Sequence, residues 1–193
     1  LQTLSSPVIA LNTSNGEVIW NVSSSNDANM FPIDRMGSTI ICKRENSQGT
    51  GVEARNLSTG ELIWHRGDLP NVACRRGASF SPEQGHILLG SRNFGKVVAL
   101  SAVNGSTVFE TSIACNGHVD GVLGDVGNIV FDASGATAYM TCWHWLTALD
   151  SANGTIKFSV NISAAETVDG PPADQSHPRF VAYSAVHDML WYL

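Results

Sequence analysis

Apolar residues along this chain come in short runs separated by Gly, Asn, Ser and Asp. Val8-Ile9-Ala10-Leu11 and Val97-Val98-Ala99-Leu100 each precede a polar turn; Val18-Ile19-Trp20, Leu62-Ile63-Trp64 and Thr107-Val108-Phe109 each follow one. Short runs rich in β-branched and aromatic residues, bounded by turn formers, predict strands. Apolar positions do not recur at helical spacing, and frequent glycine would destabilise helices. The class expected is all-β.

The runs belong to one phrase used four times: ALNTSNGEVIW from Ala10, ARNLSTGELIW from Ala54, ALSAVNGSTVF from Ala99 and ALDSANGTIKF from Ala148. The starts lie 44, 45 and 49 residues apart (54−10, 99−54, 148−99). Each copy has Ala first, Gly seventh (Gly16, Gly60, Gly105, Gly154) and an aromatic last (Trp20, Trp64, Phe109, Phe158). Each predicts a β-hairpin whose Gly supplies the positive φ of the turn. The terminal aromatics are expected to pack between neighbouring repeats.

A second hairpin lies between successive phrases. Phe31-Pro32-Ile33, Phe80-Ser81-Pro82, Phe131-Asp132-Ala133 and Tyr183-Ser184-Ala185 each enter a turn that leads into another apolar run. Two hairpins per repeat make four strands, the content of a propeller blade, and a period in the forties fits one. The reading is therefore a β-propeller of four-stranded antiparallel blades. A half-blade at 7–22 precedes blades at 29–66, 77–113 and 128–161, and a half-blade at 180–193 closes the chain. The whole is four-bladed if the halves join, or part of a larger propeller.

The phrase resembles the repeat of quinoprotein-like β-propellers: Ala-Leu-Asp, a few residues, Thr-Gly, a hydrophobic pair, then Trp. The resemblance covers nearly the whole chain and implies the fold. It does not imply the activity, because one fold hosts many functions. The quinone-dependent dehydrogenases of that superfamily use adjacent cysteines stacked on the quinone, a catalytic Asp and calcium ligands around a complete ring. No two cysteines here are adjacent. Half of a larger ring could not enclose a quinone either. A non-enzymatic member without a cofactor is expected.

Composition narrows the partners. A formal net charge of −6 and scattered Lys and Arg argue against a nucleic-acid surface. No apolar run is long enough to span a membrane. The chain opens at Leu1 inside a blade, no signal peptide is visible, and a segment upstream is expected. Six Asn-x-Ser/Thr sequons occur, at Asn12, Asn21, Asn56, Asn104, Asn153 and Asn161. Chance supplies about two or three at this composition. All six fall on or beside the outer hairpins, where a glycan meets no core. Asn, Ser and Thr are also ordinary turn residues; the excess and the phase favour N-glycosylation and a secreted, extracellular protein.

Cys42, Cys74, Cys115 and Cys142 form no Cys-x-x-Cys pair, so no zinc site is expected. Four cysteines allow three pairings, and sequence does not choose. Cys42–Cys74 with Cys115–Cys142 joins each strand end to a neighbouring loop; buried free thiols are the alternative.

The longest connections are Gly67–Arg76, Ala114–Gly127 and Ala164–Arg179. Asp120 and Asp125, near His118, match no calcium loop and read as solvated acids; no metal is assigned. Trp143-His144-Trp145 lies at a turn between inner and outer hairpins. Trp143 and Trp145 are candidates for stacking on sugars or anchoring a partner. Capping the core and packing between blades are the structural roles they would otherwise fill.

Half-blades at both ends leave open strand edges, and open edges are templates for pairing. Three completions are open to the halves: joining within one chain, joining the next chain head-to-tail, or joining further repeats of a longer propeller. The function expected is a non-catalytic scaffold or assembly module that self-associates or is completed by another propeller segment. The alternatives are a binding propeller of a larger secreted or cell-surface protein and, distantly, a fragment of a quinone-dependent dehydrogenase.

Overall fold

A computed structural model describes residues 8–22, 29–33, 38–44, 49–70, 78–81, 83–91, 95–115, 126–162 and 181–192. Every regular element among them is a strand. They are β1 (Val8–Leu11), β2 (Val18–Val22), β3 (Asn29–Ile33), β4 (Ser38–Arg44), β5 (Gly49–Asn56), β6 (Leu62–Pro70), β7 (Ala78–Ser81) and β8 (His86–Gly90). There follow β9 (Lys96–Ser101), β10 (Thr107–Ser112), β11 (Val126–Phe131), β12 (Thr137–Cys142), β13 (Trp145–Asp150), β14 (Ile156–Asn161), β15 (Val181–Ser184) and β16 (Met189–Tyr192).

They form three four-stranded meanders, β3-β4-β5-β6, β7-β8-β9-β10 and β11-β12-β13-β14, and two two-stranded sheets, β1-β2 and β15-β16. Consecutive strands pair antiparallel throughout. This is the all-β, partial-propeller architecture read from the repeat.

Each phrase is a hairpin in one register. Ala10 faces Trp20, Ala54 faces Trp64, Ala99 faces Phe109 and Ala148 faces Phe158. The turn is wider than a two-residue Asn-Gly turn. In three copies the Gly amide donates to the carbonyl of the phrase's third residue (Gly16 to Asn12, Gly60 to Asn56, Gly154 to Asp150). Only the Gly takes positive φ, at 75, 73, 71 and 76° in the four copies. The side chains of Asn12, Asn56 and Asp150 accept backbone N–H bonds from within the turn, which stiffens it. In the inner hairpins Gly85 and Gly135 take positive φ; Asp188, at φ 50°, fills the corresponding place in the last one.

The chain divides into two compact units: Leu1–Asn71 with the turn Ala102–Gly105, and Val72–Ser101 with Ser106–Leu193. In the second, Leu88, Val97, Ala99, Ile113, Val126, Met140 and Leu149 pack into one core that includes Cys115 and Cys142. Ala54, Ala99 and Ala148 are fully buried, so a larger residue there would meet packed atoms. In the first, Val8 and Trp20 form a small cluster with Ala10 and Val22.

Candidate functional site

The aromatic that ends each phrase has a defined seat: the turn glycine of the next phrase. Trp20 lies over Gly60, where an added Cβ would come within 2.8 Å of the indole. Its Nε1 donates to the carbonyl of Leu57 at 2.8 Å. Trp64 lies over Gly105, where an added Cβ would come within 2.6 Å of the ring, and its Nε1 donates to the carbonyl of Ala102 at 2.9 Å. Leu57 and Ala102 are both the fourth residue of their phrase. Phe109 covers Gly154 in the same way. Phe109 has no N–H, and the fourth carbonyl of that phrase, Ser151, lies 3.2 Å from Nδ1 of His86 instead.

A second side chain, two residues beyond the aromatic, completes the latch. Arg66 donates from Nη1 to the carbonyl of Gly105 at 2.8 Å, and Thr111 donates from its hydroxyl to that of Gly154 at 2.9 Å. Sequence reading missed these two residues, because the position carries Val22, Arg66, Thr111 and Val160, with no shared residue type to mark it. Arg66 is held by a bidentate pair with Asp68, at 2.5 and 2.9 Å. The hydrogen bond from Arg66 holds the Asp68 carboxyl below the usual carboxylate range, and the same bond raises Arg66.

Among the described residues the first turn glycine, Gly16, and the last phrase aromatic, Phe158, are not joined in such a latch. Among the described residues nothing approaches the place a Cβ would take on Gly16. At the other end Phe158 is 42% exposed, against 8% for Trp20 and 9% for Trp64. Val160, on the same face of β14 as Phe158, and Ile156, across a β-bulge from them, are also exposed. Among the described strands β1 pairs with β2 alone, and β16 with β15 alone. Trp191 and Met189 on β16 are exposed too, whereas the inner β15 is buried at Val181 and clamped to β11. Asn128 makes that clamp: its amide donates to the Val181 carbonyl at 2.5 Å and its oxygen accepts from the Val181 N–H at 2.8 Å.

The other predicted residues are distributed as follows. Cys115 and Cys142 are joined by a disulfide inside the core of the second unit. Cys74 and the side chain of Cys42 lie outside the described residues, as do His118, Asp120, Asp125 and all of the 164–179 connection. Gly95 is a further residue that reading missed: it takes φ 55°, and an added Cβ would stand 2.6 Å from that of Cys115. Trp143 and His144 form the two-residue connection between β12 and β13, with Trp143 at φ 52°. Trp143 packs on the core beside Cys142, and its buried Nε1 has no hydrogen-bond partner among the described residues; Trp145 is half-buried on β13. Asn21, Asn104, Asn153 and Asn161 are exposed, and Asn12 and Asn56 are half-buried with their side-chain oxygens engaged in the turns. Among the described residues no group of three or more His, Cys, Asp or Glu is placed to hold a metal. No helix among them is long and apolar enough to cross a membrane.

Residues 2–139 match the family described as outer membrane protein assembly factor BamB. The chain belongs to this family. Among solved structures it is similar to BamB from Moraxella catarrhalis, at 13% identity and a TM-score of 0.63, covering 91% of this chain and 55% of that one. It is also similar to a quinohemoprotein alcohol dehydrogenase from Pseudomonas putida, at 13% identity and a TM-score of 0.53, covering 81% of this chain and 32% of that one. The present chain thus spans about half the first protein and a third of the second. Curated proteins contain no sequence match to it. Both structural likenesses speak for the fold: this is a PQQ-type repeat β-propeller chain, and the family's description is that of an outer membrane protein assembly factor.

Proposed function

We propose that this chain is a non-catalytic, extracellular, N-glycosylated propeller module whose work is assembly: its open half-blades are completed by another propeller segment. The observation that carries the reading is the incomplete latch, an aromatic without its glycine at one end and a glycine without its aromatic at the other. Unsatisfied strand edges and exposed apolar faces on the same elements favour pairing over a free surface. The Cys115–Cys142 disulfide supports an oxidising compartment. The six sequons, all on surface hairpins, support secretion and glycan attachment.

Size-exclusion chromatography with light scattering tests the assembly role; a species larger than one chain is expected. A strictly monomeric, cooperatively unfolding chain would overturn it. A second reading has its own support: both structural relatives are longer than this chain, which favours a binding segment of a larger secreted or cell-surface propeller. Attaching further repeats in one polypeptide would then abolish self-association. Dye reduction with an alcohol or sugar after adding quinone and calcium is expected to give no turnover; a positive result would restore the dehydrogenase-fragment reading.

A further inference from the structure

We infer that Asn161 carries an N-glycan whose first sugar, an N-acetylglucosamine, packs on the indole of Trp145. The inference rests on the glycosylation proposed above; it fixes one acceptor and gives Trp145 a ligand.

The two residues belong to one row across the third meander. Val126 on β11 faces Cys142 on β12, Cys142 faces Trp145 on β13, and Trp145 faces Asn161 on β14. Directly opposed residues of an antiparallel pair point to one face of the sheet, with Cβ atoms about 5 Å apart. The neighbouring row bears this out: Thr147 and Ser159 are also opposed, and their hydroxyls hydrogen-bond at 2.9 Å. Trp145 and Asn161 lie two residues along each strand in unbroken register, so they share that face. Burial falls along the row from the inside outward. Val126 and Cys142 are buried, Trp145 is half-buried and Asn161 is exposed. Both sides of the pair are anchored. The Cys115–Cys142 disulfide holds the inner neighbour of Trp145. Just past Asn161, the N–H of Ile162 donates to the carbonyl of His144 at 2.7 Å.

The chemistry of the pair suits a sugar. An N-linked chain begins at Nδ2, two bonds beyond the Asn Cβ, so its first ring stands over the sheet at the height of the neighbouring indole. A pyranose ring offers a face of C–H groups to an aromatic face and keeps its hydroxyls in water. Trp is fitted to such a place, apolar on one side and wet on the other. The other sequons lack this neighbour. Asn21 faces Ile9 and Asn56 faces Ser38. Asn12, Asn104 and Asn153 lie beyond the strand ends, in the turns of the outer hairpins. Among the described registers, Asn161 is the one sequon residue set opposite an aromatic ring.

The test uses the full chain, secreted from eukaryotic cells with its N-acetyl groups isotopically labelled. An endoglycosidase trims every glycan to its first sugar, so each occupied sequon gives one N-acetyl methyl resonance. One resonance is expected upfield of the rest, moved by the ring current of the indole. It should vanish in Ser163→Ala, which destroys the sequon and leaves Asn161 in place. It should return to the position of the others in Trp145→Leu. Trp145→Phe keeps a smaller ring at the same site and should reduce the shift without abolishing it, which preserves the test if the Leu variant does not fold. Sugar at other sequons but none at Asn161, by peptide mapping, overturns this inference and leaves the glycoprotein reading standing. Sugar at Asn161 with an unshifted resonance, or a shift indifferent to Trp145, overturns the contact alone. A chain without sugar at any sequon overturns both this inference and the glycoprotein reading.

Discussion

At the residue scale the latch is a contact between a large ring and an absent side chain. Gly60, Gly105 and Gly154 are needed twice over, for positive φ and for the room their missing Cβ leaves the ring. Gly16 has the same φ and no neighbour, so it separates the two terms. Gly105→Ala is expected to cost about 2–4 kcal/mol, backbone strain plus overpacking against Trp64. Gly16→Ala is expected to cost about 1–2 kcal/mol, the left-handed backbone term alone. Urea unfolding at one low protein concentration checks the difference; equal losses would remove the packing half of the argument. The Arg66–Asp68 pair adds a pH dependence. The folded Asp68 carboxyl titrates below its unfolded value, so its contribution is fully present above the ordinary carboxylate range and is lost as pH falls through the folded value. Stability should hold from neutral pH to about pH 5 and decline below it, and Asp68→Asn should flatten part of that decline. Because Asp68 is largely exposed, salt should shrink the effect. Acid titrations of wild type and variant, at low and high salt, measure both.

At the element scale the hairpins were legible because a β-turn is a local device: Gly16, Gly60, Gly105 and Gly154 announce themselves by spacing, and the Asn or Asp at the third position closes the turn from within. What lay outside local sequence was the partner of each element. Arg66 and Thr111 reach a carbonyl some forty residues away (separations of 39 and 43), and no shared residue type flags the position. The choice among cysteine pairings likewise depends on which strand end comes beside which connection. Cys115–Cys142 ties the segment after β10 to the end of β12 across a sequence separation of 27. Chain-entropy reasoning gives it about 3–4 kcal/mol. The Cys115→Ala/Cys142→Ala double variant should lose stability of that order in calorimetry, and a reductant should lower the stability of wild type by more than that of the variant.

At the scale of the whole molecule the sequons make the broadest prediction. Expressed through a eukaryotic secretory pathway, the chain should show an intact mass that falls on enzymatic deglycosylation by several N-glycans; an unchanged mass would remove the glycoprotein reading while leaving the fold intact. The sequence by itself determined the all-β class, the four-strand repeat and the offset that places half a blade at each end, because strand alternation, turn glycines and period are properties of neighbouring residues. Only the tertiary structure decided which ring covers which glycine, that Cys115 finds Cys142, that Trp143 turns onto the core at positive φ, and that Phe158 and Gly16 are left uncovered. Those are contacts between residues far apart in the chain, and burial there is set by packing, which composition and periodicity do not carry.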